Sequence, residues 1–192
     1  MSERFCGIDY SMSSPSLCLS SGDGNYDIYY LCKQVKLRGE IKAVGTQGTN
    51  FRFFGEASCT LDNDQVRYDW ISDWAISKMS NVSRACIEDY AFNATGRVHA
   101  TGENTGLFKH KMYKAGIEFE TVAPMAAKRF AGASKQKGIK DSKDLMEQRF
   151  IEKTGIDLRG IFELGEKVKN PISDIIDSYW ICEYLMGKVL TK

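Results

Sequence analysis

The sequence predicts a mixed α/β fold in which helices flank a five-stranded sheet, part antiparallel and part parallel. Three observations support this prediction. Three strand-like runs separated by turn residues come first, and helical and strand-like segments then alternate. The composition, with 43% hydrophobic and 27% charged residues in a chain of 192, is typical of one soluble globular domain.

The first three strands are expected to form an antiparallel meander. They are the runs 4–9, 16–20 and 27–34, with the turn residues GDGN between the second and the third. The following segment, 33–60, is mixed in charge and rich in Gly and Thr, and it either extends the meander or forms an added hairpin. The prediction is therefore a single domain, 1–192, with a possible insertion or extended hairpin at 33–60.

Helical periodicity and helix-terminating residues predict the remaining elements. Apolar residues in 64–79 recur close to the helical period, and the acidic residues before them offer an N-cap. Two further strands are predicted at 84–89 and 118–122. The other predicted helices are 103–115, a short helix from Pro124, 141–153 and 170–186.

Cysteine usage and hydropathy indicate a soluble intracellular chain. The six cysteines show no CxxC spacing and lie mostly in apolar runs, so we expect reduced core thiols. No run approaches the roughly 20 apolar residues of a membrane span. The first residues, MSERFCGID, lack the pattern of a secretory signal. The expectation is a cytoplasmic protein without a membrane partner.

Two acidic residues end apolar strands, and two more share a helix. Asp9 follows CGI and Glu88 follows ACI. If these strands are parallel neighbours, about 4.8 Å apart, both carboxylates project at the same edge of the sheet. Asp174 and Asp177 lie three apart on one face of the final predicted helix. Singly, each acid is more often a turn residue or part of an exposed face, but the joint pattern favours a shared site.

Four carboxylates at one site favour a hard divalent cation such as Mg²⁺ or Mn²⁺. Two such ions about 3.5 to 4 Å apart would clamp a phosphodiester, one activating water and the other stabilising the departing oxygen. The small residues after Asp9 would let a phosphate backbone come close. The stretch 128–143 has six Lys or Arg residues and one acid, which indicates either a solvated loop or a phosphate-binding segment.

Four segments together resemble the RNase H-like nucleases and, within them, the RuvC-type Holliday junction resolvases. They are GIDYS, IEDYAF, NPISDIIDSYW and VAPMAAKRFAGASKQKGIKDSKDLM, and the resemblance spans about residues 4–185. It implies an RNase H-like fold with two Mg²⁺ ions per active site, for which Mn²⁺ would substitute. The implied metal ligands are Asp9, Glu88, Asp174 and Asp177. Lys143 would lie beside the active site. The long polar segment 33–60 departs from the family pattern and suggests a phage or otherwise divergent member.

The same resemblance implies a set of DNA-binding residues. Basic residues in 128–143 and 109–114 would contact backbone phosphates. These residues are Lys128, Arg129, Lys135, Lys137, Lys140, Lys143, Lys109 and Lys111. The family uses an aromatic residue after the strand-end Glu to stack at the junction. Tyr90 or Phe92 would take that role here, and the alternative for both is ordinary packing at the strand end.

The implied activity is that of a two-metal-ion endodeoxyribonuclease that resolves four-way DNA junctions. Paired symmetric nicks would leave 5′-phosphate and 3′-hydroxyl ends, and a two-fold homodimer would supply the two cuts. Two alternatives stay open. One is another RNase H-like nuclease, acting on RNA:DNA hybrids or DNA flaps, since the same four acids serve these reactions. The other is a non-catalytic junction-binding protein on the same fold.

Overall fold

Seven strands and six helices make up the structure, a computed structural model that describes residues 3–89, 98–134, 142–165 and 169–190. The strands are β1 (Phe5–Asp9), β2 (Ser16–Ser20), β3 (Asn25–Cys32), β4 (Gly39–Val44), β5 (Asn50–Ala57), β6 (Arg84–Glu88) and β7 (Glu118–Val122). The helices are α1 (Asp64–Lys78), α2 (Val98–Lys114), α3 (Pro124–Phe130), α4 (Ser142–Thr154), α5 (Leu158–Ile161) and α6 (Ile172–Leu190).

All seven strands form one mixed sheet in the order β4-β5-β3-β2-β1-β6-β7. β1, β2 and β3 pair antiparallel as a meander, and β1, β6 and β7 pair parallel. The predicted mixed α/β class is therefore confirmed. The predicted count of five strands is too low, because β5 adds to the free edge of β3 and β4 pairs with β5.

Helices cover both faces of the sheet, and each face has its own core. Along β1 the side chains alternate between the two cores, with Phe5 in one, and Cys6 and Ile8 in the other. The first core also contains buried residues of α3, α4, α5 and α6, while the second contains residues of α1 and α2. β1 is thus a central strand buried on both faces, which explains its continuous apolar run.

The added strands pack against α4 and α5 through aromatic residues. The Phe51 ring meets Phe150 of α4 edge to face, with ring centroids 6.1 Å apart, and Phe53 meets Phe162 in the same way at 5.7 Å. At the β4–β5 turn, the hydroxyl of Thr46 donates to the carbonyl oxygen of Lys153, 3.0 Å away. The segment 33–60 therefore contributes aromatic side chains to the first core.

Glycine at position 7 lets α6 lie directly on β1. A Cβ atom there would stand 2.1 Å from the backbone nitrogen of Cys182 and 2.3 Å from the carbonyl oxygen of Ser178. Ser16 lies on the neighbouring strand β2 and Ser178 on α6. Their hydroxyls are 2.9 Å apart, and both side chains are buried. Close backbone approach and this hydrogen bond fix where α6 crosses the sheet.

The cysteines lie mainly inside the two cores. All six cysteines are free thiols, and all but Cys59 are buried. Within the described parts of the chain, no helix has both the length and the apolar character needed to cross a membrane.

Candidate active site

The parallel pairing of β1 with β6 brings Asp9 and Glu88 together. Ile8 is paired with Ile87, so the next residues in the same register are Asp9 and Glu88. Both are half-buried at the carboxyl ends of their strands. They point to the face covered by α6, because side chains alternate and Gly7, two residues before Asp9, faces that helix.

The first two turns of α6 bring the other two acids to the same place. Asp174 is buried, with 7% of its surface exposed, and Asp177 is half-buried. Ser178 follows one turn after Asp174 and is bonded to Ser16, the residue that pairs with Asp9 in the sheet. The amino-terminal half of α6 is thus held against the end of β1.

The pKa values of all four carboxyl groups are raised, chiefly by burial. Burial raises the pKa of Asp9 well above its ordinary value, and the charges of Asp174, Asp177 and Glu88 add to that rise. Burial together with the charge of Asp177 raises the pKa of Glu88 to about 7. Burial likewise raises the pKa of Asp177 to about 6. Shifts of this size in one cluster are typical of functional sites.

Two lysines act on the same cluster with the opposite sign. The ammonium group of Lys143, in the first turn of α4, lowers the pKa of Asp9, Glu88 and Asp177. Lys128 of α3 lowers the pKa of Glu88 and of Asp177. Of the predicted basic residues that the structure describes, Lys143 and Lys128 are the two that lower the pKa of acids in this cluster.

Asp174 has an oxygen that is available to a ligand. Its Oδ2 is buried without a hydrogen-bond partner among the described residues, while Oδ1 accepts from the hydroxyl of Ser173 at 3.2 Å. Burial raises the pKa of Asp174, and the hydroxyl of Ser14, the Lys143 ammonium and the Ser173 hydroxyl oppose that rise. An orphaned carboxylate oxygen within a set of hard oxygen donors fits a bound Mg²⁺ ion.

No three of these carboxylates, however, lie close enough together to hold one metal ion. In residues 3–89, 98–134, 142–165 and 169–190, no group of three or more His, Cys, Asp or Glu side chains could hold one metal ion. The site therefore offers neighbouring acidic side chains rather than a preformed cage.

The other predicted DNA-binding residues differ in their ion-pair partners and in their exposure. The Lys109 ammonium is 3.9 Å from a carboxylate oxygen of Asp89, the residue after Glu88. Lys111 is held by Asp69 and Asp73 of α1, at 2.6 and 2.5 Å. Arg129 is exposed on α3. The residues that lie outside the described part of the chain are Tyr90, Phe92, Lys135, Lys137 and Lys140.

Sequence reasoning missed the polar residues that support Asp174. The side-chain amide of Asn170 donates to the hydroxyl of Ser14 at 2.9 Å, and Ser14 is buried. The hydroxyl-rich stretch after Asp9 was a visible signal, but its partner lies 156 positions away along the chain. No spacing rule predicts such a contact.

The strand order, the two helical layers and the position of the acids define an RNase H-like fold of the RuvC type. The structure of Thermus thermophilus RuvC is similar, with a TM-score of 0.56 and 15% identity, covering 98% of this chain and 97% of that chain. T. thermophilus RuvC in complex with a Holliday junction substrate has a TM-score of 0.55 and 13% identity, covering 96% and 95%. No family model and no curated protein sequence matches the chain. At these identities the likeness establishes the fold.

Proposed function

We propose that this protein is a metal-dependent endonuclease that cuts branched DNA, with the four-way junction as its main substrate. The observation that carries the proposal is that acids from β1, β6 and α6 lie together at one end of the sheet, where Glu88, Asp174 and Asp177 raise the pKa of Asp9. A RuvC-type fold supports it, since one structure with this fold is RuvC in complex with a Holliday junction substrate.

Mg²⁺ is the proposed cofactor, with Mn²⁺ as a substitute and two ions per active site. The residues that would hold it are Asp9, Glu88, Asp174 and Asp177. When bound, the ions would lower the pKa of an attacking water and stabilise the charge on the departing oxygen. Mg²⁺ is commonly bound by one or two carboxylates, several waters and substrate phosphates, so it needs no cage of three protein carboxylates.

The chain's own residues would position the substrate. The proposed reaction is hydrolysis of one phosphodiester: the water oxygen bonds to phosphorus and the 3′ oxygen leaves, giving 5′-phosphate and 3′-hydroxyl ends. Lys143 and Lys128 lie where their charges offset the acids, so they would attract the phosphate to an otherwise negative site. Positioning and charge stabilisation would supply most of the rate enhancement.

Resolution of a junction needs two symmetric cuts, so we propose that a two-fold homodimer acts on each junction. Backbone phosphates would be contacted by the basic residues of 109–114 and 128–143, with the affinity falling as salt rises. An aromatic residue after Glu88 would stack at the centre of the junction.

The test is cleavage of an end-labelled four-way junction beside a matched duplex and an RNA:DNA hybrid, in Mg²⁺, Mn²⁺ or EDTA. Paired, symmetric, metal-dependent nicks on the junction alone, lost in Asp9→Asn and Asp174→Asn, are the expected result. Preferential cutting of the hybrid would assign the protein to the hybrid-cleaving nucleases. Binding of the junction without cutting in either metal would leave a binding protein and overturn the enzyme proposal.

A further inference from the structure

A polar cleft of about 200 Å³ adjoins the acids on the β3 side of α6. Four separate segments supply its polar lining: Ser13, Ser14, Lys33, Gln34, Ser58 and Asn170. The backbone nitrogen of Ser58 donates to the carbonyl oxygen of Cys32 at 3.0 Å, which ties the end of β5 to the end of β3. The residue that follows β5 therefore forms part of the cleft wall.

The cleft lies close to the acids because it shares residues with their support. Asn170, in its lining, donates to Ser14, and the hydroxyl of Ser14 lowers the pKa of Asp174. Ser14 and Asn170 both line the cleft, and Asn170 lies two residues before α6, in which Asp174 is the third residue. Since Ser14 in the cleft lies close to Asp174 and a DNA strand advances about 3.4 Å per nucleotide, the near end of the cleft is one or two nucleotides from a phosphate held at that acid.

The chemistry of the lining suits a phosphodiester backbone. Hydroxyl and amide groups donate hydrogen bonds, Lys33 adds one positive charge, and none of the described lining residues is acidic. The buried hydroxyl oxygen of Ser58 has no hydrogen-bond partner among the described residues.

We propose that this cleft binds the sugar–phosphate backbone of the cut strand one or two nucleotides from the scissile phosphodiester. Lys33 is the cationic contact, and Ser13 and Gln34 donate hydrogen bonds. The inference rests on the proposed function, and it adds a substrate contact made by residues next to the extra strands.

The salt dependence of binding tests the role of Lys33. Affinity of a labelled four-way junction is measured from low to moderate salt with Ca²⁺ in place of Mg²⁺, for wild type, Lys33→Ala and Lys42→Ala. Lys42 is the matched control because it is exposed on β4 and pairs with Glu40. Lys33→Ala is expected to weaken binding about threefold to tenfold and to reduce the log–log salt slope by about 1, while Lys42→Ala changes neither.

A single methylphosphonate, which removes one backbone charge, locates the contact. Placed one or two nucleotides from the cut, it should weaken binding about threefold in wild type and have no further effect in Lys33→Ala, as expected for two groups that act on each other. Equal salt slopes for Lys33→Ala, Lys42→Ala and wild type would overturn the inference and leave the proposed function intact. A wild type that neither binds nor cuts the junction would overturn the proposed function and this inference together.

Discussion

The two ends of the central sheet hold buried carboxylates in opposite ways. At the end where β1 and β3 begin, Asp27 is 7% exposed and accepts from Arg52 at 2.6 and 2.8 Å and from Arg4 at 2.5 Å. At the end where β1 and β6 finish, Asp174, Asp177 and Glu88 raise the pKa of Asp9, and Asp177 raises that of Glu88. One end neutralises its carboxylate, and the other concentrates negative charge.

The difference separates a structural role from a functional one. A buried carboxylate held by two guanidinium groups has its desolvation cost offset, and its loss would leave those groups without a partner. A cluster of mutually repelling carboxylates opposes folding, so its presence is better explained by the binding of a cation than by stability. The two ends should therefore respond to the same chemical change, Asp to Asn, with opposite signs.

The largest expected effect is the loss of cleavage in Asp9→Asn. We expect junction cleavage in Mg²⁺ to fall about 100-fold or more, since an amide replaces a carboxylate that is proposed to bind the metal. In EDTA the melting temperature should stay unchanged or rise, because one member of a repelling set is gone. Cleavage rates and thermal unfolding of the same preparation check both expectations. A large fall in melting temperature would mean that Asp9 has a structural role.

Next in size is the effect of Gly7→Ala, which removes the close approach of α6 to β1. The added methyl group would overlap backbone atoms of Ser178 and Cys182, so we expect a loss of about 3 kcal/mol in the free energy of unfolding. The shift of α6 should also lower cleavage by the protein that stays folded, since Asp174 and Asp177 move with that helix.

Gly106→Ala is the matched control for Gly7→Ala. Gly106 lies within α2, and a Cβ atom there would meet nothing within 4 Å. Because alanine favours a helix interior, we expect a gain of up to about 1 kcal/mol. Denaturant unfolding of both variants measures the difference. Similar losses in the two would contradict the role given to the contact between Gly7 and α6.

Asp27→Asn tests the other end of the sheet. We expect a loss of about 1 to 3 kcal/mol, because the ion pairs with Arg4 and Arg52 are lost and the desolvation cost of the partly buried guanidinium groups is no longer offset. Junction cleavage per folded molecule should be unchanged. Reduced cleavage at full folding, measured beside Asp9→Asn, would show that the two ends of the sheet are coupled.

Much of the fold could be predicted because its signals are local. β1 and β6 are apolar runs that end in an acid, and their burial on both faces makes the pattern strong. β4 was left open as part of a possible hairpin, because only alternate residues of this edge strand are even partly buried and charged residues interrupt it. Helix α2 begins at Val98, earlier than predicted, since the glycines in its first turns weaken the helical pattern.

The candidate site could be predicted only in part, because only some of its contacts are local in the sequence. The positions of its four acids follow from strand ends and from helical spacing. The contact of Asn170 with Ser14 and that of Ser16 with Ser178 depend on how α6 lies on the sheet, which the backbone at Gly7 permits. The stacking role of Tyr90 or Phe92 stays a prediction, since both lie outside the described residues.

The smallest expected effect is the pH dependence of stability in the metal-free protein. The folded-state pKa of Glu88 is raised to about 7, so folding favours its protonated form. Its stabilising contribution is complete below the ordinary pKa of a glutamate and is lost as the pH rises through about 7. In EDTA, stability should therefore fall from pH 5 to pH 8, and Glu88→Gln should lessen that fall by about 1 kcal/mol.

Denaturant unfolding at a series of pH values, in EDTA and in Mg²⁺, measures this fall. Mg²⁺ should flatten it in the wild type, because a bound cation favours the ionised carboxylates and binds more tightly as the pH rises. Glu88→Gln should show less of this effect, while Asp27→Asn should keep the wild-type response to Mg²⁺. An identical pH profile with and without Mg²⁺ in the wild type would mean that the cluster does not bind the ion, and the two ends of the sheet would then differ in electrostatics alone.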